Sequence, residues 1–167
     1  MNISRLLDPG LIKLSMETQI DPDPEGRPRT DKQKRSDKET VLDELVSLLE
    51  RSGRIGNRTK LLTDFINRER KASTATGHGI AVPHVRTYQA KELTIAVARS
   101  QEGYDFDAPD GEPVRLFFAM AAPSYEETVY LKVFKSLAEV LRFDYFRQRL
   151  LDAESEYDFI RAFQEME

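Results

Sequence analysis

His84 closes the run Ile80-Ala81-Val82-Pro83-His84, and its surroundings suit a nucleophile. Proline disfavours the helical conformation at the residue before it, so Val82 is expected to be extended. Pro83 has no N–H to give to a strand ladder. Pairing should therefore stop or bulge there, with the next side chain at a strand end over a cleft. An unperturbed imidazole titrates near pH ~6.5, so close to neutrality one ring nitrogen is free to attack an electrophile. If that electrophile is a phosphoryl group, it needs in-line approach and donors for its equatorial oxygens. Arg68, at the end of a helical pattern, has the planar fork for that task. Ser73 and Thr74 add hydroxyls and N–H groups, and Gly77 and Gly79 allow close backbone approach. Taken alone, a single histidine after proline is more often a hydrogen-bonded structural residue, and only the wider pattern argues otherwise.

Other candidate chemistry is weaker. His78 and His84 lie six residues apart, roughly 20 Å in an extended chain, which is too far to share a metal ion. His78 is expected in the glycine-rich loop, near a bound phosphate, and no metal site is expected. Asp21-Pro22-Asp23-Pro24-Glu25-Gly26 imitates the start of a calcium loop, but its twelfth position is Lys32, where a bidentate carboxylate is required. Between residues 21 and 39, six basic side chains face six acidic ones. The stretch is therefore neutral and has little counterion-release drive toward nucleic acid.

The elements that must position these residues follow from periodicity. LIKLSM (11–16) is short and partly alternating, an expected edge strand. Residues 19–35 hold Pro22, Pro24 and Pro28 with almost no apolar side chain, and read as a flexible inserted loop. A helix is predicted from Ser36, with Glu39 completing a capping box, and Val41, Leu42, Leu45, Leu48 and Leu49 on one face. Gly53 is a plausible stop. Asn57 caps a second helix with Leu61, Leu62, Phe65 and Ile66 inward. LTIAVAR (93–99) and VRLFFAMAA (114–122) read as strands, the latter buried and central. Ser124 and Glu127 form another capping-box pattern ahead of a helix carrying Val129, Val133, Phe134, Leu137, Val140 and Leu141. A short helix is predicted near Tyr145–Leu151, and Ser155 opens a last one with Phe159, Ile160 and Phe163. The mixture predicts an α/β (α+β) domain, a mixed central sheet flanked by helices, spanning residues 1–167.

Composition sets outer bounds. Of the 167 residues 40% are hydrophobic and 32% charged, enough for one sizeable core under a solvated surface. The net charge of -4 argues against a dedicated nucleic-acid binder. The chain has no cysteine, which excludes disulfides and thiolate-bound zinc. No run approaches ~18 apolar residues, so no membrane insertion is expected, and a cytoplasmic location is the default.

The segment RERKASTATGHGIAVPH (68–84) resembles the active-site segment of enzyme IIA domains of the bacterial phosphoenolpyruvate-dependent sugar phosphotransferase system. The similarity is to the mannitol/fructose type, which includes the nitrogen-regulatory IIA proteins. It rests on Arg68, Glu69, Ser73, Thr74, Gly77, Gly79, Ile80, Ala81, Val82, Pro83 and His84, and on the downstream FDAPDGEPVRLFFAMAAP. The resemblance implies a phosphotransferase component without a cofactor, phosphorylated on His84 and steadied by Arg68. It implies a histidine-containing phosphocarrier protein as donor, and a IIB domain or a regulatory target protein as partner. The family commonly carries a second histidine near the start of the helix after the central strand. Tyr130 stands at the matching position, able to donate one hydrogen bond to a phosphoryl group but not to carry a positive charge. Its plain alternative is an aromatic on the helix's inner face. Ala75 and Thr76 also depart from the family pattern, and ordinary members lack the 19–35 loop. The alternative function is therefore a regulatory binding module that keeps the fold with weakened phosphotransfer. The absence of IIB-like or membrane segments in this chain tilts the expectation modestly to the regulatory branch.

Overall fold

The apolar run near residue 115 builds the centre of the sheet. In the computed structural model, which describes residues 1–167, it becomes strand β6 (Val114–Pro123). Alternate side chains of β6 enter different cores. Leu116, Phe118 and Met120 face one, while Phe117, Ala119 and Ala121 face the other. A strand covered on both faces needs apolar residues at every position, which is why this one reads as a continuous apolar run.

Five further strands complete the sheet: β1 (Ile12–Lys13), β2 (Ala75–Gly77), β3 (Ile80–Ala81), β4 (His84–Thr87) and β5 (Thr94–Tyr104). The order is β1-β5-β6-β3-β2, with β4 also paired to β6. β5 runs antiparallel to β6, with Ala96 opposite Ala119 and Val97 opposite Phe118. β1 runs parallel to β5, and β3 and β4 run parallel to β6, while β2 is antiparallel to β3. The sheet is thus mixed, as expected, and β1 is an edge strand of two residues.

Helices α1 (Asp31–Glu50) and α2 (Arg58–Lys71) cover one face. There the sheet offers Ala96, Ala98, Ala119 and Ala121, small residues over which Leu42, Leu45, Leu61 and Phe65 pack. The other face carries Ile95, Val97, Phe118 and Met120. It is covered by α3 (Val129–Leu141), α4 (Asp144–Leu151) and α5 (Glu156–Met166). Phe118, Phe146, Phe159 and Phe163 form a chain of ring contacts there. No helix is long and apolar enough to cross a membrane.

Two helix starts depart from expectation. α1 begins at Asp31, so residues 31–35 are helical rather than loop. Its capping box is Thr30 with Gln33: the Thr30 hydroxyl accepts from the Gln33 N–H (3.1 Å), and the Gln33 side-chain oxygen accepts from the Thr30 N–H (2.9 Å). The apolar stripe starts only at Val41, so periodicity could not register the polar first turns. Arg29 clamps them through Asp37 at 2.6 and 3.0 Å. The Ser124–Glu127 box does not form either. That segment folds into a turn, with Glu126 N–H on the Pro123 carbonyl (2.9 Å), and α3 opens at Val129 beneath the Glu126 carboxylate (3.0 Å). Asn57 and Ser155 cap α2 and α5 as their sequence positions predict, each accepting an N–H at 3.0 Å.

Candidate functional site

Val82 and Pro83 interrupt what would otherwise be one strand. β3 and β4 both lie parallel along β6, Ala81 opposite Phe117 and His84 opposite Met120. Between them the Val82 N–H turns away to the Thr74 carbonyl at 3.0 Å. The Val82 carbonyl points the other way and accepts from Nδ1 of His84 at 2.7 Å. That bond fixes the tautomer, leaving the lone pair on Nε2 free. His84 is half-buried, with the ring of Phe134 edge-on at 5.0 Å and that of Tyr130 tilted at 6.1 Å. Burial lowers its pKa below 6.5; the Val82 carbonyl and Glu69 oppose the shift and the Arg68 charge adds to it. The imidazole is therefore neutral at pH 7, the form that carries a nucleophilic nitrogen.

Arg68 projects from the last turn of α2 and donates to the Ala72 carbonyl at 2.8 Å. It has no carboxylate partner, and its charge is felt at His84. Ser73 and Thr74 lie beside it, but their hydroxyl hydrogens are already engaged. Ser73 donates to the Phe106 carbonyl (2.7 Å), and Thr74 donates both its hydroxyl (2.6 Å) and its N–H (2.9 Å) to Glu69. These hydroxyls reach an anion only by exchanging those bonds.

His78 sits at the tip of the turn between β2 and β3, with a positive φ of 55°. Its N–H donates to Asp110 at 2.8 Å. The side chain borders a cavity of about 190 Å³ that also touches Val82 and Phe134, two neighbours of His84. The structure therefore gathers His84, Arg68 and Tyr130, sets Ser73 and Thr74 in the supporting chain, and places His78 one cavity away.

The sequence reading assigned no part in the site to four contributors, naming Glu69 only as a position of the resemblance. Glu69 is buried with Lys38 at 3.0 Å, and Lys38 also reaches Asp107 at 3.1 Å. Asp110 ties down the His78 turn. Arg86 lays its guanidinium over the Tyr130 ring at 5.7 Å. A signal for Arg86 was present: it lies two residues beyond His84, on the same face of any strand containing both. The larger groove between α1 and α2, about 680 Å³, holds mostly paired charges (Arg70 with Glu39, Lys38 with Glu69 and Asp107) and meets the site only through Glu69.

A family model described as "Phosphoenolpyruvate-dependent sugar phosphotransferase system, EIIA 2" matches residues 29–166. The fructose-specific EIIA component of the phosphotransferase system of Haloferax volcanii is 36% identical over 118 residues, covering 71% of this chain and 77% of that protein. The fructose-specific EIIABC component of Bacillus subtilis is 33% identical over 156 residues; the match covers 93% of this chain but spans only 22% of that relative's length. The crystal structure of the nitrogen regulatory protein IIA-Ntr from Neisseria meningitidis aligns with a TM-score of 0.80 at 28% identity, over 96% of this chain and 98% of that one. With the fold, the interrupted strand and the matched residues in agreement, the chain belongs to the EIIA type-2 family of the phosphoenolpyruvate-dependent sugar phosphotransferase system.

Proposed function

We propose that this protein carries a phosphoryl group on Nε2 of His84. It takes the group from a histidine-containing phosphocarrier protein in the cytoplasm. It then passes it to a IIB domain or holds it as a regulatory signal to a target protein. The observation that carries this reading is the 2.7 Å bond from Nδ1 to the Val82 carbonyl, which turns a neutral ring into an aimed, single-nitrogen nucleophile. In the transfer, the Nε2–P bond forms as the donor's N–P bond breaks in line. The electron pair of the broken bond stays as the lone pair of the donor nitrogen, and the donor imidazole leaves neutral with the proton it already carries on its other nitrogen. The proton stays on Nδ1 of His84, donated to the Val82 carbonyl, so the phosphorylated ring is cationic and partly offsets the phosphoryl charge. Arg68 meets the equatorial oxygens, where the developing charge resides.

The assignment of both outlets, sugar transport and regulation, draws on the family. The IIA-Ntr likeness supports regulation, and the joined A, B and C components of the Bacillus relative support transfer to a IIB partner. The test is incubation with phosphoenolpyruvate, enzyme I and the phosphocarrier. The expected product is an acid-labile, base-stable label on the wild type that is missing from His84→Ala. A wild type that takes no label refutes the reading.

A further inference from the structure

β4 aims two side chains, not one, toward α3. His84 and Arg86 are alternate residues of the strand, opposite Met120 and Ala122, and so share a face about 7 Å apart along the backbone. Arg86 is exposed. Its guanidinium rests on the Tyr130 ring at 5.7 Å, and the same ring lies 6.1 Å from the imidazole. Tyr130 is thus a shared platform between the acceptor and a cation. An aromatic face holds a guanidinium without neutralising it, which a carboxylate would do. Asp64, an acid bordering the same surface groove as Arg86, has a carboxylate oxygen bonded to the Thr87 hydroxyl at 2.6 Å. The five-donor fork of Arg86 is left with no hydrogen-bond acceptor of its own.

We propose that Arg86 is a second phosphoryl-binding arginine, held in reserve on Tyr130 and closing on phosphorylated His84 from the strand side while Arg68 covers it from α2. This rests on the reading of His84 as the phosphoryl acceptor. A phosphoryl group bears close to two negative charges, and one guanidinium cannot balance both. Two forks approaching from different elements engage more of its three oxygens and hold it against water. The strand supplies the second cation, while the helix supplies an aromatic rest for it.

The experiment measures the rate of phosphoryl acceptance from the phosphocarrier, and the lifetime of the phosphohistidine, in wild type, Arg86→Gln, Arg86→Lys, Tyr130→Ala and the Arg86→Gln/Tyr130→Ala double variant. Arg161→Gln, an exposed arginine on α5, is the control for net charge. The expected result is an acceptance rate lowered about tenfold or more and a shortened lifetime in Arg86→Gln, equivalent to ~1.4 kcal/mol of lost stabilisation. Arg86→Lys recovers part of the loss, because it restores charge without the fork. The double variant is no slower than Arg86→Gln alone, because Tyr130 acts through the guanidinium it supports. An Arg86→Gln protein that accepts and retains the group like the wild type overturns the assignment while leaving His84 in place. A wild type that never labels overturns the carrier reading and this assignment with it.

Discussion

Replacing Glu69 by alanine is expected to cost about 3–5 kcal/mol, the range for removing one partner of a buried ion pair. The structure gives the terms. The Glu69 side chain is 5% exposed and its oxygens serve three donors: Lys38 Nζ at 3.0 Å, Thr74 N–H at 2.9 Å and the Thr74 hydroxyl at 2.6 Å. Without it, both Thr74 donors lose their acceptor, at ~1–3 kcal/mol for each group left unsatisfied. Lys38, 9% exposed, keeps only Asp107, a carboxylate half open to solvent. For a domain of this size each kcal/mol moves the unfolding midpoint by about 2–4 °C, so the midpoint should fall by ~6–20 °C. Thermal unfolding followed by circular dichroism at pH 7 measures it. Glu69→Gln is milder, since its amide oxygen still accepts from Thr74. Lys38→Met combined with Glu69→Gln is less destabilising than Glu69→Ala, because no buried charge is left alone. The acceptance rate at His84 also falls well below the melting range, because Arg68 leans on Ala72, two residues from the freed Thr74. A Glu69→Ala midpoint within about 2 °C of wild type would refute the reasoning.

Three further outcomes follow. Burial lowers the His84 pKa below 6.5, so the initial labelling rate should stay level from about pH 8 down to 6.5 and decline only below that; a decline beginning above pH 7 contradicts the assigned environment. The same depression means the unfolded chain binds the proton more readily, so the contribution of His84 to stability is present above pH 6.5 and lost as pH falls through the folded value. Asn57→Ala removes the side-chain cap of α2 and is expected to cost about 1 kcal/mol, read as a 2–4 °C fall in the unfolding midpoint with labelling intact at 20 °C.

What the sequence disclosed tracks the range of the forces involved. The break at Pro83, the caps at Asn57 and Ser155 and the two-faced burial of β6 depend on a few neighbouring residues, and each was legible. The start of α1 was not, because its first turns bear no apolar stripe and are held by Arg29 folding back from the preceding loop. Ser124 and Glu127 matched a spacing rule that a competing turn at Pro123 overrides. Ser73 and Thr74 looked like free hydroxyls, yet Phe106, thirty-three residues beyond Ser73, and Glu69, a buried carboxylate, take up their hydrogens. Tyr130 stood out only as a missing histidine. Its relation to Arg86 appears once α3 is laid across β4, a contact between segments more than forty residues apart.

The bond between Nδ1 and the Val82 carbonyl spans two residues of chain, so the bearing of the reactive nitrogen is written within a tripeptide. The Phe134 and Tyr130 rings of α3 lie against the imidazole, but the hydrogen bond that aims it needs no residue outside that tripeptide. Surface residues elsewhere can accordingly change without retuning that bond. Under the proposed function, one scaffold can in this way hand the same cargo to a transporter in one setting and advertise it to a regulator in another.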